Sequence, residues 1–138
     1  MPRISFFFFA TGALFVMAGV SLGIWMGTNE NFTLAPVHAH INLIGWASMG
    51  LIGTFFAVAS DSAPRKLGWV SYALMTLGLL IMAPSLSLLL LGNKKVVPFL
   101  GISEIMVALG LLTFFVTVLI TWSRSRASGG LTAAMPAE

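Results

Sequence analysis

The sequence predicts an all-α membrane protein, a bundle of four transmembrane helices in up-and-down order. Of the 138 residues, 58% are hydrophobic and only 8% are charged, and the mean hydropathy is +0.99. That composition cannot cover the surface of a soluble domain with polar groups. The apolar residues are gathered in four stretches, each long enough for the roughly 20 residues that a helix needs to cross the hydrocarbon core. We therefore expect a lipid bilayer as the surroundings of the chain.

The four predicted helices are separated by short polar breaks, which force neighbouring helices to run antiparallel. They form one transmembrane domain over residues 1–126, and residues 127–138 are predicted to be a disordered tail. The apolar run after Arg3 is about twice as long as that of a signal peptide, and no small-residue cleavage site follows it, so we interpret it as a retained helix. The helices are predicted over residues 4–27, 36–60, 67–91 and 96–122.

The placement of lysines and arginines predicts the orientation of the bundle. With the N-terminus inside, five cations lie on the cytoplasmic side and only Lys94 and Lys95 lie outside. The excess on one side places both termini in the cytoplasm. The expected location is a bacterial inner membrane. The cytoplasmic cations are Arg3, Arg65, Lys66, Arg124 and Arg126.

The composition also excludes several classes of function. The chain has no cysteine, which excludes disulfides, thiolate metal sites, iron–sulfur clusters and covalent c-type haem attachment. No basic patch is interleaved with exposed aromatic residues, so nucleic acid is not an expected partner.

The two histidines, His38 and His40, are the sharpest chemical signal in the sequence, since polar groups within a bilayer are costly and tend to be functional. On a regular helix, side chains two residues apart point about 200° away from each other. The pair then cannot bind one metal ion. If the chain is still extended at Pro36 to His38, the two imidazoles lie on the same side and could chelate copper or zinc.

The stretch that contains the histidines resembles a known helix. His38-Ala39-His40-Ile41-Asn42-Leu43-Ile44-Gly45-Trp46, followed by the run Leu51 to Phe56, is similar to the second transmembrane helix of haem–copper oxidase catalytic subunits. The most similar members are the cbb3-type oxidases and the nitric oxide reductases. The resemblance implies that His38 is an axial ligand of a low-spin haem b. The His-x-His opening is also similar to the NnrS family, which is linked to nitric oxide tolerance, haem and copper.

The resemblance covers about one helix in four, and the rest of the chain departs from the family. The oxidases need several further histidines for the second axial position, the active-site haem and the copper, and this chain has none left. Tyr72 stands alone, away from any group of histidines. Reduction of oxygen to water by that mechanism is therefore excluded within one chain, and no catalytic residue is predicted.

What the residues still allow is a b-type haem, which needs an apolar slot, an axial nitrogen and donors near the propionates. His38 shares a helix face with Asn42, Gly45, Met49 and Ile52, and small Gly45 leaves room for a flat ring beside Trp46. Lys94 and Lys95 lie on the same side of the membrane and could meet the propionates. The second axial position is a histidine of another chain, a methionine such as Met82 or Met106, or open for a diatomic gas.

Because one fitting histidine cannot enclose a bis-histidine haem, a homo-oligomer is expected. Gly19, Gly23 and Gly27 recur every four residues on the first helix. They form a flat strip for another backbone or a planar ligand.

Glu104 is the one acid well inside a predicted helix. An ionised carboxylate there is expensive, so we expect it to be protonated or paired. It is interpreted as a proton carrier, as an acceptor that orients a ligating histidine, or as an acid bonded to a neighbouring backbone or to Asn42.

Three functions follow from these residues. The first is a haem b protein for electron transfer, with a redox partner or quinone, or for binding NO or O2. The second is a copper- or zinc-binding protein that uses His38 and His40. The third is an accessory subunit in which the histidines only pack or form hydrogen bonds.

Overall fold

The computed structural model describes residues 1–59 and 62–133, with side chains up to residue 126. These residues form four long helices, which confirms the predicted fold class. All four are long and apolar enough to cross a membrane, and the described residues contain no strand. A short 3-10 turn over Lys94–Val96 leads into the last helix. The helices are α1 (Arg3–Thr28), α2 (Ala35–Ala59), α3 (Arg65–Leu90) and α4 (Val97–Ala133).

The ends of α1, α2 and α3 agree with the predicted bounds to within two residues, because the apolar stretches and the polar breaks between them are local features. The end of α4 differs. It was predicted at residue 122, but the backbone stays helical to Ala133. Serine, arginine and alanine over residues 123–128 are compatible with a helix that continues past Trp122, whereas Gly129 and Gly130 are weak helix formers. Residues 127–133 of the predicted tail thus belong to α4, and residues 134–138 lie outside the described part.

The helices pack as two antiparallel hairpins, α1 with α2 and α3 with α4, and α3 also contacts α1 and α2. Glycines bring α3 and α4 together. An ideal Cβ at Gly78 would lie 2.8 Å from a methyl of Val107, and one at Gly110 would lie 2.6 Å from the Met75 side chain. Close approach at small residues is the usual basis of helix association in membranes, since lipid tails are as apolar as leucine.

Serine hydroxyls join the helices at two buried points. Ser5 of α1 donates to the carbonyl of Gly53 on α2 over 2.7 Å, and Ser71 of α3 donates to the carbonyl of Gly110 on α4 over 2.8 Å. Both serines are fully buried. In each case a glycine supplies the close backbone, and the bond satisfies a hydroxyl that has no water available in the bilayer.

The second helix is irregular in its first half. Ala35–His40 is α-helical, Ile41–Ser48 is π-helical, and Met49–Ala59 is α-helical again. Ser48 donates its hydroxyl to the carbonyl of Leu43, five residues earlier, over 2.9 Å. π segments are rare and are found frequently at functional sites. This one begins directly after the histidine pair.

We expect Gly78→Ala to destabilise the α3–α4 contact by about 1–3 kcal/mol, the usual cost of overpacking. The added Cβ would meet the Val107 methyl at 2.8 Å and the backbone of Ser103 at 3.1 Å, and the backbone cannot move away without opening the hairpin. Thermal unfolding in detergent measures the effect. Gly101→Ala on α4 is the matched control, since its Cβ would meet nothing within 4 Å. Equal midpoints for the two variants would contradict this packing.

Candidate functional site

His38 lies in the first turns of α2, against the second half of α1. Its ring packs on Gly23, where an ideal Cβ would come within 2.9 Å of His38 Cε1. Its Nδ1 lies 2.8 Å from the carbonyl oxygen of Gly19, one turn deeper on α1. The two glycines, four residues apart, therefore both contact the imidazole: Gly23 supports the ring, and the carbonyl of Gly19 is its hydrogen-bond partner.

The partner of Nδ1 fixes the tautomer of neutral His38. A carbonyl oxygen only accepts, so Nδ1 carries the hydrogen and donates it to Gly19. The lone pair of the ring is then on Nε2. A histidine that ligates a metal almost always donates its other ring N–H to a carbonyl, a carboxylate or water, which fixes the ring and its tautomer. His38 is held in this way by the protein alone.

Asn42 holds the same ring from a second direction. Its Nδ2 donates to the carbonyl of His38 over 2.8 Å and lies 3.4 Å from both ring nitrogens. Equal distances to the two nitrogens place the amide over the ring face and not in line with either nitrogen. The amide also rests on Gly19, where an ideal Cβ would lie 2.5 Å from Asn42 Nδ2. Asn42 therefore acts as a positioning residue for His38.

His40 points to a different part of the molecule. The helix already begins at Ala35, so the pair is not in the extended conformation that a two-histidine chelate within one chain requires. Nδ1 of His40 donates to the carbonyl of its own Pro36 over 2.7 Å, which again leaves the lone pair on Nε2. The ring lines a surface groove of about 190 Å³ with Ala39, Leu43 and Ile44.

The space beside Gly45 is filled by the chain itself. Gly45 is buried, and an ideal Cβ there would lie 2.7 Å from both Phe15 and Leu79. A flat ring on this face within one chain would have to displace these side chains. Trp46 is exposed and lines a surface groove of about 380 Å³ together with Phe9.

Two of the three glycines of the strip, Gly19 and Gly23, contact side chains of α2 in the same chain. Gly19 and Gly23 pack under Asn42 and His38, whereas Gly27 meets nothing within 4 Å. Lys94 and Lys95 are exposed at the same end of the bundle as the histidines, and Asn93 Oδ1 caps their turn by accepting from the Lys95 backbone N–H.

Glu104 lies on the exposed surface of α4, seven residues after Val97 and hence about 10 Å into the helix. Within the described part of the chain it forms no hydrogen bond or ion pair, and the amide of Asn42 is occupied by His38.

Of the methionines considered as ligands, Met82 is buried in the core and Met106 is half-buried. Tyr72 shares a hydrogen bond of 2.7 Å with Thr11.

No group of three histidine, cysteine, aspartate or glutamate side chains that could hold a metal ion occurs among the described residues. One copy of the chain therefore offers single, preoriented imidazole nitrogens and not a closed metal site. The carbonyl of Gly19, which orients His38, is a part of the candidate site that the sequence analysis did not predict. The sequence contains a clue to this contact: Gly19 and Gly23 are four residues apart, as are His38 and Asn42, so the two pairs can face each other along two packed helices.

Comparison of the chain with protein-family models, with characterised proteins and with solved structures finds no match.

We predict that neutral His38 adopts the tautomer with the hydrogen on Nδ1, because its partner is the Gly19 carbonyl. The measurement is the ¹⁵N spectrum of histidine-labelled protein with His40→Gln, which leaves one histidine. Adding Gly23→Ala should shift the His38 signals, since the new Cβ would lie 2.9 Å from Cε1, while Gly27→Ala should leave them in place. A spectrum of the Nε2–H tautomer would contradict the assigned hydrogen bond.

Proposed function

We propose that the protein is a small membrane protein that holds a b-type haem through His38 and acts in electron transfer or in the binding of a diatomic gas. The observation that carries the proposal is the fixed orientation of His38, whose Nδ1 donates to Gly19 and leaves the Nε2 lone pair for a metal. A bound haem would supply one-electron chemistry and an iron to which NO or O2 can bind. The chain supplies the axial nitrogen and its orientation.

The packing of α1 against α2 favours a haem between copies of the chain over one inside a single copy. The face that carries His38, Asn42 and Gly45 is closed by Gly23, Gly19 and Phe15. The two nitrogens of an imidazole point in widely different directions, so Nε2 of His38 points away from Gly19. A ligand on Nε2 would therefore lie on the side of the ring away from the Gly19 carbonyl, and a second copy could complete the site with a histidine or a methionine or leave it open.

Glu104 supports an assembly of more than one copy. A carboxyl group on the outer surface of a transmembrane helix is costly when only lipid surrounds it. Glu104 is exposed on α4, about 10 Å from the start of that helix. A second polypeptide over this face would bury the group and provide hydrogen-bond partners, which are worth about 0.6–2 kcal/mol each between membrane helices.

A copper or zinc protein is the second candidate, and His40 favours it. His40 holds Nδ1 on the carbonyl of Pro36 and so also leaves Nε2 as a free lone pair. Neutral imidazole nitrogens suit both metals. Because the two rings of one chain point to different sides, an ion held by both types of histidine would have to be shared between copies.

We expect the protein purified from membranes in mild detergent to be red, with the Soret and α bands of a b-type haem. His38→Ala should abolish these bands, whereas His40→Ala should alter them less, because the ring of His38 alone is held by α1. Circular dichroism serves as the control that both variants keep their helices. Loss of haem in His40→Ala with retention in His38→Ala would overturn the assignment of the ligand.

Metal analysis of the same samples separates the alternatives. A colourless protein with stoichiometric copper or zinc would contradict the haem proposal and support the copper or zinc protein. A colourless protein without metal would leave an accessory subunit as the function.

We further expect the haem-loaded protein to be a homo-oligomer, as measured by light scattering coupled to size-exclusion chromatography. Among the described residues of one chain, no second histidine can reach the metal that His38 binds, since His40 faces its own groove. Monodisperse monomers that keep a low-spin haem with two histidine ligands would contradict this expectation. Glu104→Leu should shift the equilibrium towards monomers if α4 forms the contact.

A further inference from the structure

A third cavity lies at the opposite end of the bundle from the histidines, at the end that the distribution of cations places in the cytoplasm. Here α1 and α3 both begin, with Arg3 as the first residue of one helix and Arg65 as the first residue of the other. The cavity between them has a volume of about 420 Å³. It is lined by Pro2, Arg3, Ile4, Arg65 and Trp69.

One wall of this cavity is held in place by aromatic packing. The ring of Trp69 contacts Phe7 edge-on, with centroids 5.2 Å apart, and contacts Tyr72 edge-on at 5.7 Å. Tyr72 is in turn tied to Thr11 of α1 by a hydrogen bond of 2.7 Å. The indole therefore stands as a fixed surface between the two helices. Tryptophan is enriched at this depth of a membrane because one part of the ring is apolar and its N–H is polar.

The electrostatics of the cavity favour an anion from several sources at once. Pro2 and Pro64 precede the two helices and provide no side-chain cap, and neither first turn contains an acidic residue. The first N–H groups of a helix carry partial positive charge and lack partners inside the helix. Two such helix starts meet here, together with the guanidinium groups of Arg3 and Arg65. Arg65 also has another interaction, but the five N–H donors of a guanidinium can serve more than one partner. The cavity thus combines charge, donors and a rigid apolar wall.

From this arrangement we propose that the cavity binds a phosphate group, presented by the headgroup of an anionic phospholipid. Guanidinium groups match the oxygen atoms of phosphate in a bidentate geometry. The volume lies within the roughly 300–1,000 Å³ of typical small-ligand sites. Ile4 and Trp69 suit the glycerol and the start of the acyl chains, and the cavity opens where two membrane-crossing helices begin. The site is separate from His38 and does not rest on haem binding.

The test is native mass spectrometry of the purified full-length protein with phosphatidylglycerol or phosphatidylcholine of the same acyl chains. The wild-type protein should retain phosphatidylglycerol in preference. Arg3→Gln and Arg65→Gln should each weaken its binding by about tenfold or more, as expected for loss of a charged hydrogen-bond donor. Lys66→Gln is the matched control, since Lys66 is exposed beside Arg65 but is not among the residues that line the cavity.

Three outcomes would overturn the proposal: equal retention of the two lipids, an unchanged preference in both arginine variants, or an equal loss in Lys66→Gln. Inorganic phosphate, added alone, tests the source of the group. If phosphate occupies the site and phosphatidylglycerol does not, the lipid is the wrong source. Should a glutamine variant fail to insert, Arg3→Lys keeps the charge that orients α1 and should weaken lipid binding by a smaller factor. Haem content, measured in parallel, should not change in any of these variants.

Discussion

The close approach of α1 to α2 is the constraint on which the rest of the candidate site depends. Lipid provides no hydrophobic force between helices, so association needs small residues and satisfied polar groups. Gly19 and Gly23 meet both needs, because without a Cβ they bring the α1 backbone under Asn42 and His38, and the Gly19 carbonyl accepts the hydrogen of Nδ1. The orientation of His38, its tautomer and the closure of this face to a flat ligand all follow from the same contact.

In α4 the buried face carries mostly small residues and the exposed face carries large apolar ones, the reverse of the usual pattern in a soluble protein. Its buried positions include Ser103, Gly110 and Thr117, spaced by seven residues, whereas leucine, isoleucine and phenylalanine side chains of α4 are mostly exposed. Large apolar side chains gain nothing by leaving lipid, while small ones let α3 come close. Glu104, the residue after Ser103, lies outside this seven-residue series and is exposed.

The fold could be predicted from the sequence because the length of an apolar run and the polar break after it are local properties. The candidate residues of α2 could also be placed on one face, since helical periodicity is local as well. The occupant of that face could not be predicted. Nothing in the spacing of His38, Asn42 and Gly45 reveals that Phe15 and Leu79 fill the space beside the glycine. The π segment at Ile41–Ser48 could not be predicted from the pattern of apolar residues either. A π segment changes which carbonyl each backbone N–H bonds to, but it leaves the order of apolar residues in the sequence unchanged.

The antiparallel order of the helices assigns different chemistry to the two ends of the bundle. Arg3 and Gly23 of α1 are twenty residues apart, which on a helix is about 30 Å. Arg3 and Arg65 are exposed at the end of the bundle, where water and ions screen their charge, so the arginine cavity exerts little direct force on His38. Substitutions this far apart, with no shared partner, usually have additive effects. Two helices connect the sites: α1 contributes Arg3 to the cavity and the Gly19 carbonyl to the histidine, and α3 contributes Arg65 to the cavity and also contacts α2.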